Sequence, residues 1–432
     1  MSTKGMRLDR KHALSLKTSA FIAIAASLAS VPAYAQDDVQ NQSVLERDRP
    51  EYEGDGLRVG SFIVRPELNT GASYNDNILA DDVDTISDGI FEVRPEVLVR
   101  LDQPVIDLRL RAGADFERFA DNSSENSDAY FATLRGIIGR GRPTQAQFRV
   151  TYRSDNESRR SLDAADSVAT RLGRDSIEGF AEVRQDLGAL DALVSGRVRR
   201  LTYGSALDDG GTLIDFSFRD QTIYQVTGGG EYAVTPNDLI IARATYDKRE
   251  QDVRPGDPLF NLAGFDQTSE GYRLEAGYGR QVSELLYLRV FVGYLEQNFD
   301  DTRVQDISGL SINSDVFWNV TPLTSVRVAA SRTIDEVVAP DLAGNLRTQF
   351  SAQVDHELKR NFIVSASARY ADISPRGTGI ASDEFEANLT GRLFVSRLVT
   401  VNGGFSHFQR NSANANQRFD ENVFFVGLRF RI

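Results

Sequence analysis

Apolar and polar side chains alternate along most of this chain, and this period of two constrains the fold more than any other feature. In residues 91–101, every second position from Phe91 to Leu101 is apolar, and Glu92, Arg94 and Glu96 lie between them. Successive side chains of a β-strand point to opposite faces of the sheet. The pattern therefore predicts a strand with one apolar face and one polar face.

About 18 segments of the chain repeat this alternation, and most are about 10 to 15 residues long. Tilted strands that cross a lipid bilayer have about this length. The expected strands span residues 62–74, 89–101, 105–119, 129–140, 145–154, 176–187, 192–203, 221–232, 239–248, 269–280, 285–297, 308–320, 323–333, 347–358, 362–373, 383–394, 398–410 and 421–432.

The predicted connections alternate in length. Short turns are expected at 102–104, 141–144, 188–191, 234–238, 321–322 and 359–361. Longer polar loops separate them, for example at 154–175, 204–220 and 249–268. This arrangement is typical of bacterial outer-membrane barrels. The sequence thus predicts an all-β fold, a transmembrane antiparallel up-and-down β-barrel of about 18 strands. Because the strand number is even and the first and last connections are long, both termini are expected on the periplasmic, short-turn side.

Aromatic residues near the ends of the predicted strands support a membrane barrel, because girdles of such residues mark the two membrane interfaces. The group near the expected outer ends comprises Tyr74, Phe116, Tyr130, Tyr152, Tyr224, Tyr246, Tyr272, Tyr294, Tyr370 and Phe385. The group near the opposite ends comprises Tyr232, Tyr278, Trp318 and Phe430. The alternative is a soluble all-β propeller or solenoid, which does not explain the alternating connection lengths.

The N-terminus has the organisation of a secretory signal peptide. A basic region over residues 4–17 precedes a short apolar stretch at 20–29, and Ala33 and Ala35 supply the small residues for cleavage. An apolar stretch of about ten residues is too short to cross a bilayer as a helix. We expect residues 1–35 to be a signal peptide cleaved after Ala35, residues 36–60 to be a short periplasmic segment, and residues 61–432 to form the barrel.

Composition excludes several classes of function. The chain has no cysteine, and its formal charge of −13 becomes −17 when residues 1–35, with five basic and one acidic residue, are removed. Such an acidic chain is a poor binder of nucleic acid. The histidines are His12, which leaves with the signal peptide, and His356 and His407, which are expected to face lipid. We therefore predict no enzyme activity, no catalytic, cofactor-binding or metal-binding residues, and no cofactor.

The polar face of the predicted strands carries charged residues of both signs. The candidate lumen-lining residues are Arg65, Glu67, Arg94, Glu96, Arg109, Arg111, Arg197, Arg199, Arg273, Glu275, Arg289, Arg369, Arg392, Arg429 and Arg431. Opposite charges on neighbouring strands can pair and stiffen the wall. Alternatively, some arginines line a path for a hydroxyl-rich or anionic solute, because a guanidinium makes forked contacts with carboxylates. About 18 strands leave room for an aqueous channel unless a loop such as 154–175 or 249–268 folds inward.

The last predicted strand ends the chain, and its apolar face is the candidate signal for the barrel-assembly machinery. This face comprises Phe424, Val426, Leu428, Phe430 and Ile432. Outer-membrane barrels often end in phenylalanine, whereas this chain ends in isoleucine with the alternation kept. We therefore expect the assembly machinery to recognise it, and we expect outer-membrane lipid to surround the assembled barrel.

Motifs near the N-terminus resemble those of a known family. Residues 49–53 are Arg-Pro-Glu-Tyr-Glu, Gly56, Gly60 and Phe62 follow, and residues 74–78 are Tyr-Asn-Asp-Asn-Ile. This opening is similar to that of the beta-barrel porin family associated with exopolysaccharide and capsule gene clusters. The resemblance covers nearly the whole mature chain, but its specific motifs are confined to residues 49–78. It implies a terminal outer-membrane pore for secreted polysaccharide, with periplasmic polysaccharide-export proteins as partners.

Three hypotheses for function follow from these patterns. The first is a passive outer-membrane pore for the export of exopolysaccharide or capsular polysaccharide. The second is a general diffusion porin for small solutes. The third is a structural or adhesive barrel whose lumen is plugged.

Overall fold

The computed structural model describes residues 42–162, 168–208, 210–255, 257–259, 266–335, 342–377 and 379–432. The predicted signal peptide, 1–35, and the first part of the predicted periplasmic segment, 36–41, lie outside the described residues. Within the described ranges, no helix is long and apolar enough to cross a membrane.

Eighteen long strands form a closed antiparallel barrel, and a three-residue strand, β1 (Leu57–Val59), precedes them. The first nine are β2 (Phe62–Asn75), β3 (Asp88–Gln103), β4 (Ile106–Phe119), β5 (Ser127–Ile138), β6 (Thr144–Asn156), β7 (Gly173–Asp186), β8 (Leu190–Tyr203), β11 (Gln221–Thr235) and β12 (Asp238–Gln251). The other nine are β13 (Ser269–Ser283), β14 (Leu286–Phe299), β15 (Ile307–Thr321), β16 (Thr324–Asp335), β17 (Leu342–Lys359), β18 (Phe362–Gly377), β19 (Ser382–Phe394), β20 (Val399–Ser412) and β21 (Phe419–Arg431). Two further short strands, β9 (Ser205–Leu207) and β10 (Leu213–Asp215), pair within one long loop.

The barrel closes between its first and last long strands. Pairing of β2 with β21 places Leu68 opposite Phe430, and closure leaves no free strand edge to recruit another chain. Beyond the end of β21, β1 continues the pairing along β2, with Arg58 opposite Ile63. Gly54 lies so close to the C-terminus that a Cβ atom there would come within 2.7 Å of the backbone of Ile432. The segment that precedes β1 is therefore packed against Ile432.

All 18 predicted strands are confirmed, and their ends differ from the expected positions by at most about five residues. The alternation does not predict β1, β9 or β10, because three residues are too few to establish a period. Connections of two to five residues join the strands at one end of the barrel, and those at the other end reach 17 residues. Phe62 and Arg431 both lie at the short-turn end.

The two faces of the wall differ in exposure as the alternation predicts. Leu274 is 60 % exposed on the outer face, and the next residue, Glu275, is 6 % exposed on the inner face. The outer face also carries exposed aromatic residues near both ends of the strands, including Tyr74, Tyr130, Tyr152, Tyr224, Tyr272, Tyr294, Tyr370 and Phe385 at one end and Tyr232, Tyr278, Trp318 and Phe430 at the other. The candidate assembly residues Phe424, Val426, Leu428, Phe430 and Ile432 are all exposed along β21.

Several long loops pack on one another over one side of the barrel. They share a small apolar core, which comprises Val168, Leu172, Ala206, Phe216, Phe218 and Val253. Burial of these apolar side chains stabilises one arrangement of the loops. The loops therefore form an ordered rim at the long-loop end of the barrel.

Candidate functional site

The inner wall of the barrel is the candidate functional site, and ion pairs between neighbouring strands cross it. Nε and Nη2 of Arg111 on β4 donate to the two carboxylate oxygens of Glu96 on β3, each at 2.9 Å. Arg94 on β3 pairs in turn with Asp115 on β4 at 2.5 Å. A carboxylate that accepts two N–H groups of one guanidinium is fixed in orientation. These pairs therefore hold the inner side chains of β3 and β4 in place.

All fifteen candidate lumen-lining residues lie on the face opposite the exposed apolar residues. Other ion pairs that involve these residues include Arg94–Glu92, Arg109–Asp107, Arg197–Glu178, Arg243–Glu275, Arg289–Glu231, Arg369–Glu386, and both Arg429 and Arg431 with Glu67. Within the described part of the chain, Arg65, Arg199, Arg273 and Arg392 make no ion pair within 4.0 Å. Of these four, Arg392 alone is buried.

The segment before β1, residues 42–55, is folded into the mouth of the barrel at the short-turn end. Nη2 of Arg49 donates to Glu357 on the inner face of β17 at 2.8 Å, and both side chains are less than a tenth exposed. The same guanidinium group donates to the carbonyl oxygen of Val44 at 2.7 Å. The backbone N–H of Val44 donates to the hydroxyl of Ser325 on β16 at 2.6 Å. Arg49 thus ties the segment to itself and to the wall.

Two further contacts hold this segment near the short turns. Tyr52 stacks on Phe394 of β19 with ring centroids 5.7 Å apart. Glu51 pairs with Arg360 in the turn between β17 and β18 at 2.5 Å. A backbone N–H group and Arg360 hold the pKa of Glu51 below its usual value, so this carboxylate is charged at neutral pH. The segment therefore starts beside β16 and β17, crosses the mouth of the barrel and reaches β2. On its way it passes inside the four strands that lie between β17 and β2 in the wall.

At the opposite end, the loop between β6 and β7 reaches across the lumen. Nε of Arg160 in this loop donates to Glu421 on the inner face of β21 at 2.5 Å, and its guanidinium lies 4.7 Å from the ring centroid of Phe408 on β20. Four strands, β2 to β5, separate β6 from β21 in the wall. Neighbouring strands are about 4.8 Å apart, so this contact requires the loop to fold inward.

The loop packs against inner side chains of β20 and β21, and these contact inner side chains of β17 and β19. Arg410 donates to the carbonyl oxygen of Arg160 and to Glu384, the latter at 2.7 Å. Glu384 also pairs with Arg347, and Phe408 stacks on Phe419 with centroids 5.3 Å apart. The lumen is thus narrowed at the long-loop end by a network of charged and aromatic groups that are buried together.

The sequence pattern identified one of these two features in outline. It named 154–175 and 249–268 as the loops that could fold inward, but it gave no sign that Arg160 of the first loop would make the contact. It treated residues 36–60 as a short segment outside the barrel and gave no reason to place Arg49 in the lumen. An isolated arginine beside Pro50 in a polar segment carries no local signal for a partner about 300 residues away.

The outer histidines have structural partners. Nδ1 of His356 lies 2.9 Å from the hydroxyl of Thr324, and Nδ1 of His407 lies 2.9 Å from the amide oxygen of Asn422. Among the described residues, no group of three or more histidine, cysteine, aspartate or glutamate side chains could hold a metal ion.

The chain is similar to several solved structures at low sequence identity. No curated protein matches the chain. Similar solved structures include the siderophore receptor PirA from Acinetobacter baumannii, with 7 % identity, a TM-score of 0.47, and coverage of 85 % of this chain and 80 % of that one. The outer membrane protein OpdK from Pseudomonas aeruginosa has 10 % identity, a TM-score of 0.43, and coverage of 85 % and 99 %. The copper transporter OprC has 11 % identity, a TM-score of 0.47, and coverage of 87 % and 81 %.

The family comparison covers most of the chain. The model of the family described as Putative beta-barrel porin 2 matches residues 49–432, which include the N-terminal segment from Arg49 onward and the whole barrel. The protein therefore belongs to this porin family and is an outer-membrane β-barrel.

Proposed function

We propose that this barrel is a passive pore through which exopolysaccharide or capsular polysaccharide leaves the cell. The observation that carries the proposal is the inner wall, where charged side chains of both signs are paired within a closed ring of 18 strands. A barrel of this size leaves an aqueous channel unless it is filled by loops. A wall of paired charges keeps that channel polar without a large net charge on any one strand pair.

A polar wall of this kind suits a chain of sugars. Paired carboxylates and guanidinium groups still offer lone pairs and N–H groups to hydroxyls, and inner residues such as Asn69, Asn388 and Gln147 add neutral donors and acceptors. Because such hydrogen bonds replace similar bonds to water, each contributes little net affinity. A glycan can then slide without being trapped. Synthesis elsewhere would supply the driving force, and periplasmic polysaccharide-export proteins are the proposed partners at the short-turn end.

The lumen is narrowed at both ends of the barrel. This favours a second candidate function, a diffusion porin for small solutes. Arg49 at one end and Arg160 at the other each anchor a segment that takes up part of the cross-section. If neither segment moves, the opening suits molecules much smaller than a polymer. An export pore requires that at least one of the two segments be displaced when the polysaccharide enters.

The experiment that tests the proposal is single-channel conductance of the mature protein in planar bilayers, with and without exopolysaccharide from the source cell. A steady conductance that the polysaccharide blocks from the short-turn side supports the export pore. An open channel that ignores the polysaccharide and passes small sugars identifies a diffusion porin. Absence of any conductance, also after removal of residues 36–55, contradicts both and indicates a plugged structural barrel.

A further inference from the structure

A pocket with basic walls lies between the N-terminal segment and the inner wall at the short-turn end. Its enclosed space is about 20 Å³, which has room for one small polar group such as a carboxylate, and it opens to solvent. Arg49 and Glu53 line it from the segment, and Arg392, Arg397, Arg429 and Arg431 line it from β19, β21 and the turn between β19 and β20. The charged groups of the lining are therefore five arginines and one glutamate.

The lining of this pocket has fewer carboxylates than arginines. Arg429 and Arg431 share Glu67, at 2.9 and 2.8 Å. Arg49 is paired with Glu357, which lies outside the pocket lining. Arg397 lies 3.8 Å from the exposed Asp55, where solvent screens the pair. The pocket therefore presents a positive field to whatever enters it.

Arg392 is the residue of this lining without a carboxylate partner. It is 8 % exposed, and its one hydrogen bond among the described residues runs from Nε to the amide oxygen of Asn402 at 3.3 Å. The amide nitrogen of Asn402, which is 2 % exposed, has no partner in the described structure. The guanidinium of Arg392 is therefore held by one long hydrogen bond and no carboxylate, and the amide nitrogen beside it has no acceptor.

Among the described residues, no carboxylate near Arg392 forms an ion pair with it. The charged groups that act on it are Arg429, Arg431, Arg49 and Asp355. Asp355 accepts hydrogen bonds from Gln353 and Ser365 and forms no ion pair with Arg392. A buried cation without a partner is strongly unfavourable. Elsewhere on the wall, the buried arginines Arg94 and Arg243 each form an ion pair with a carboxylate.

We propose that this pocket binds a carboxylate of an acidic sugar, a uronic acid unit of the transported chain, and that Arg392 is its principal contact. The proposal rests on the proposed function, since it assigns a charge to the cargo of the same pore. The planar guanidinium of arginine matches a carboxylate in forked geometry. The hydroxyl of Thr400, which lines the pocket, would add a further contact.

The test is block of single-channel current by trigalacturonate and by the neutral trisaccharide maltotriose, each added at the short-turn side of the mature protein. Trigalacturonate should block at a concentration at least about tenfold lower than maltotriose, because a charge-assisted hydrogen bond is about twice as strong as a neutral one. Arg392→Gln should raise the blocking concentration of trigalacturonate about tenfold and leave that of maltotriose unchanged. Equal block by the two sugars in the wild type overturns the proposal.

Two further variants separate the pocket from general effects on the barrel. Asn402→Asp places a carboxylate beside Arg392 and should abolish the preference for trigalacturonate while keeping the arginine. Arg149→Gln removes an inner arginine from β6, which contributes nothing to the pocket lining, and should leave block within about twofold. An equal effect of Arg149→Gln and Arg392→Gln, or a preference that persists in Asn402→Asp, contradicts the assignment.

Calorimetric titration of the detergent-solubilised protein with trigalacturonate distinguishes failure of the pocket from failure of the pore. Binding that Arg392→Gln abolishes, in a barrel without conductance, supports the pocket and contradicts the pore. A conducting barrel that binds no trigalacturonate contradicts the pocket and leaves the pore in place.

Discussion

The guanidinium of Arg49 and the carboxylate of Glu357 form a buried ion pair at 2.8 Å between the N-terminal segment and the wall of the barrel. Removal of one partner from such a pair leaves the other charge buried, which costs about 3–5 kcal/mol. Loss of this pair should therefore weaken the docking of the segment in the lumen. The conductance of the pore should depend on it.

Arg49→Gln should release the segment and increase single-channel conductance. Released residues become accessible to protease, so limited trypsin digestion should cut after Arg47, whose guanidinium in the wild type donates to the carbonyl of Pro322 and to Asn319. Arg58→Gln on β1 is the control, because Arg58 is exposed and lies outside the docked segment. Wild-type conductance and protection in Arg49→Gln would show that the segment is held by other contacts.

Arg160→Ala should widen the lumen at the long-loop end. It removes the side-chain contacts with Glu421 and Phe408 that hold the loop inward, and leaves the hydrogen bond from Arg410 to the backbone carbonyl of residue 160. We expect higher single-channel conductance and passage of larger neutral polymers in a size-exclusion assay. Arg303→Ala is the matched control, because Arg303 pairs with Asp301 within an exposed loop. If both variants have wild-type conductance, the loop does not limit the opening.

Glu275→Ala should destabilise the barrel by about 3–5 kcal/mol, because Arg243 then remains buried without its partner. Glu275 accepts hydrogen bonds from Arg243 at 2.5 Å and from Ser311 at 2.7 Å, and its side chain is 2 % exposed. Glu178→Ala removes a looser pair at 4.0 Å and should cost less than about 1 kcal/mol. Urea unfolding in lipid vesicles measures both. A similar loss of stability in the two variants would contradict this account and would mean that water in the lumen reaches Arg243.

Gly293→Ala should prevent correct assembly. A Cβ atom at this inner position of β14 would overlap the carbonyl oxygen of Leu274 and lie 2.8 Å from Cα of Glu275. Both atoms belong to the backbone of the neighbouring strand, so relief requires the strands to separate. Gly228→Ala is the control, since its Cβ atom would have nothing within 4 Å. The yield of heat-modifiable barrel on a gel measures assembly, and normal yield from Gly293→Ala would contradict this account.

The alternation of side chains determined most of the wall. A strand places neighbouring residues on opposite faces whatever its partners are, so Leu274 and Glu275 were assignable to the outer and inner faces before any strand pairing was known. Strand number and the alternation of short and long connections followed from the same local pattern. Local patterns do not extend to strands of three residues, which is why β1 was not predicted.

Tertiary structure decided what fills the barrel. The contacts of Arg49 with Glu357 and of Arg160 with Glu421 join residues 308 and 261 positions apart. They exist because closure and register bring distant parts of the chain together at each of the two mouths, and neither contact is encoded in a local period. The role of Arg392 also depends on the tertiary structure. The sequence identifies it only as one of fifteen charged residues that are expected to line the lumen. Its lack of a carboxylate partner depends on which residues the closed wall and the docked segment bring beside it.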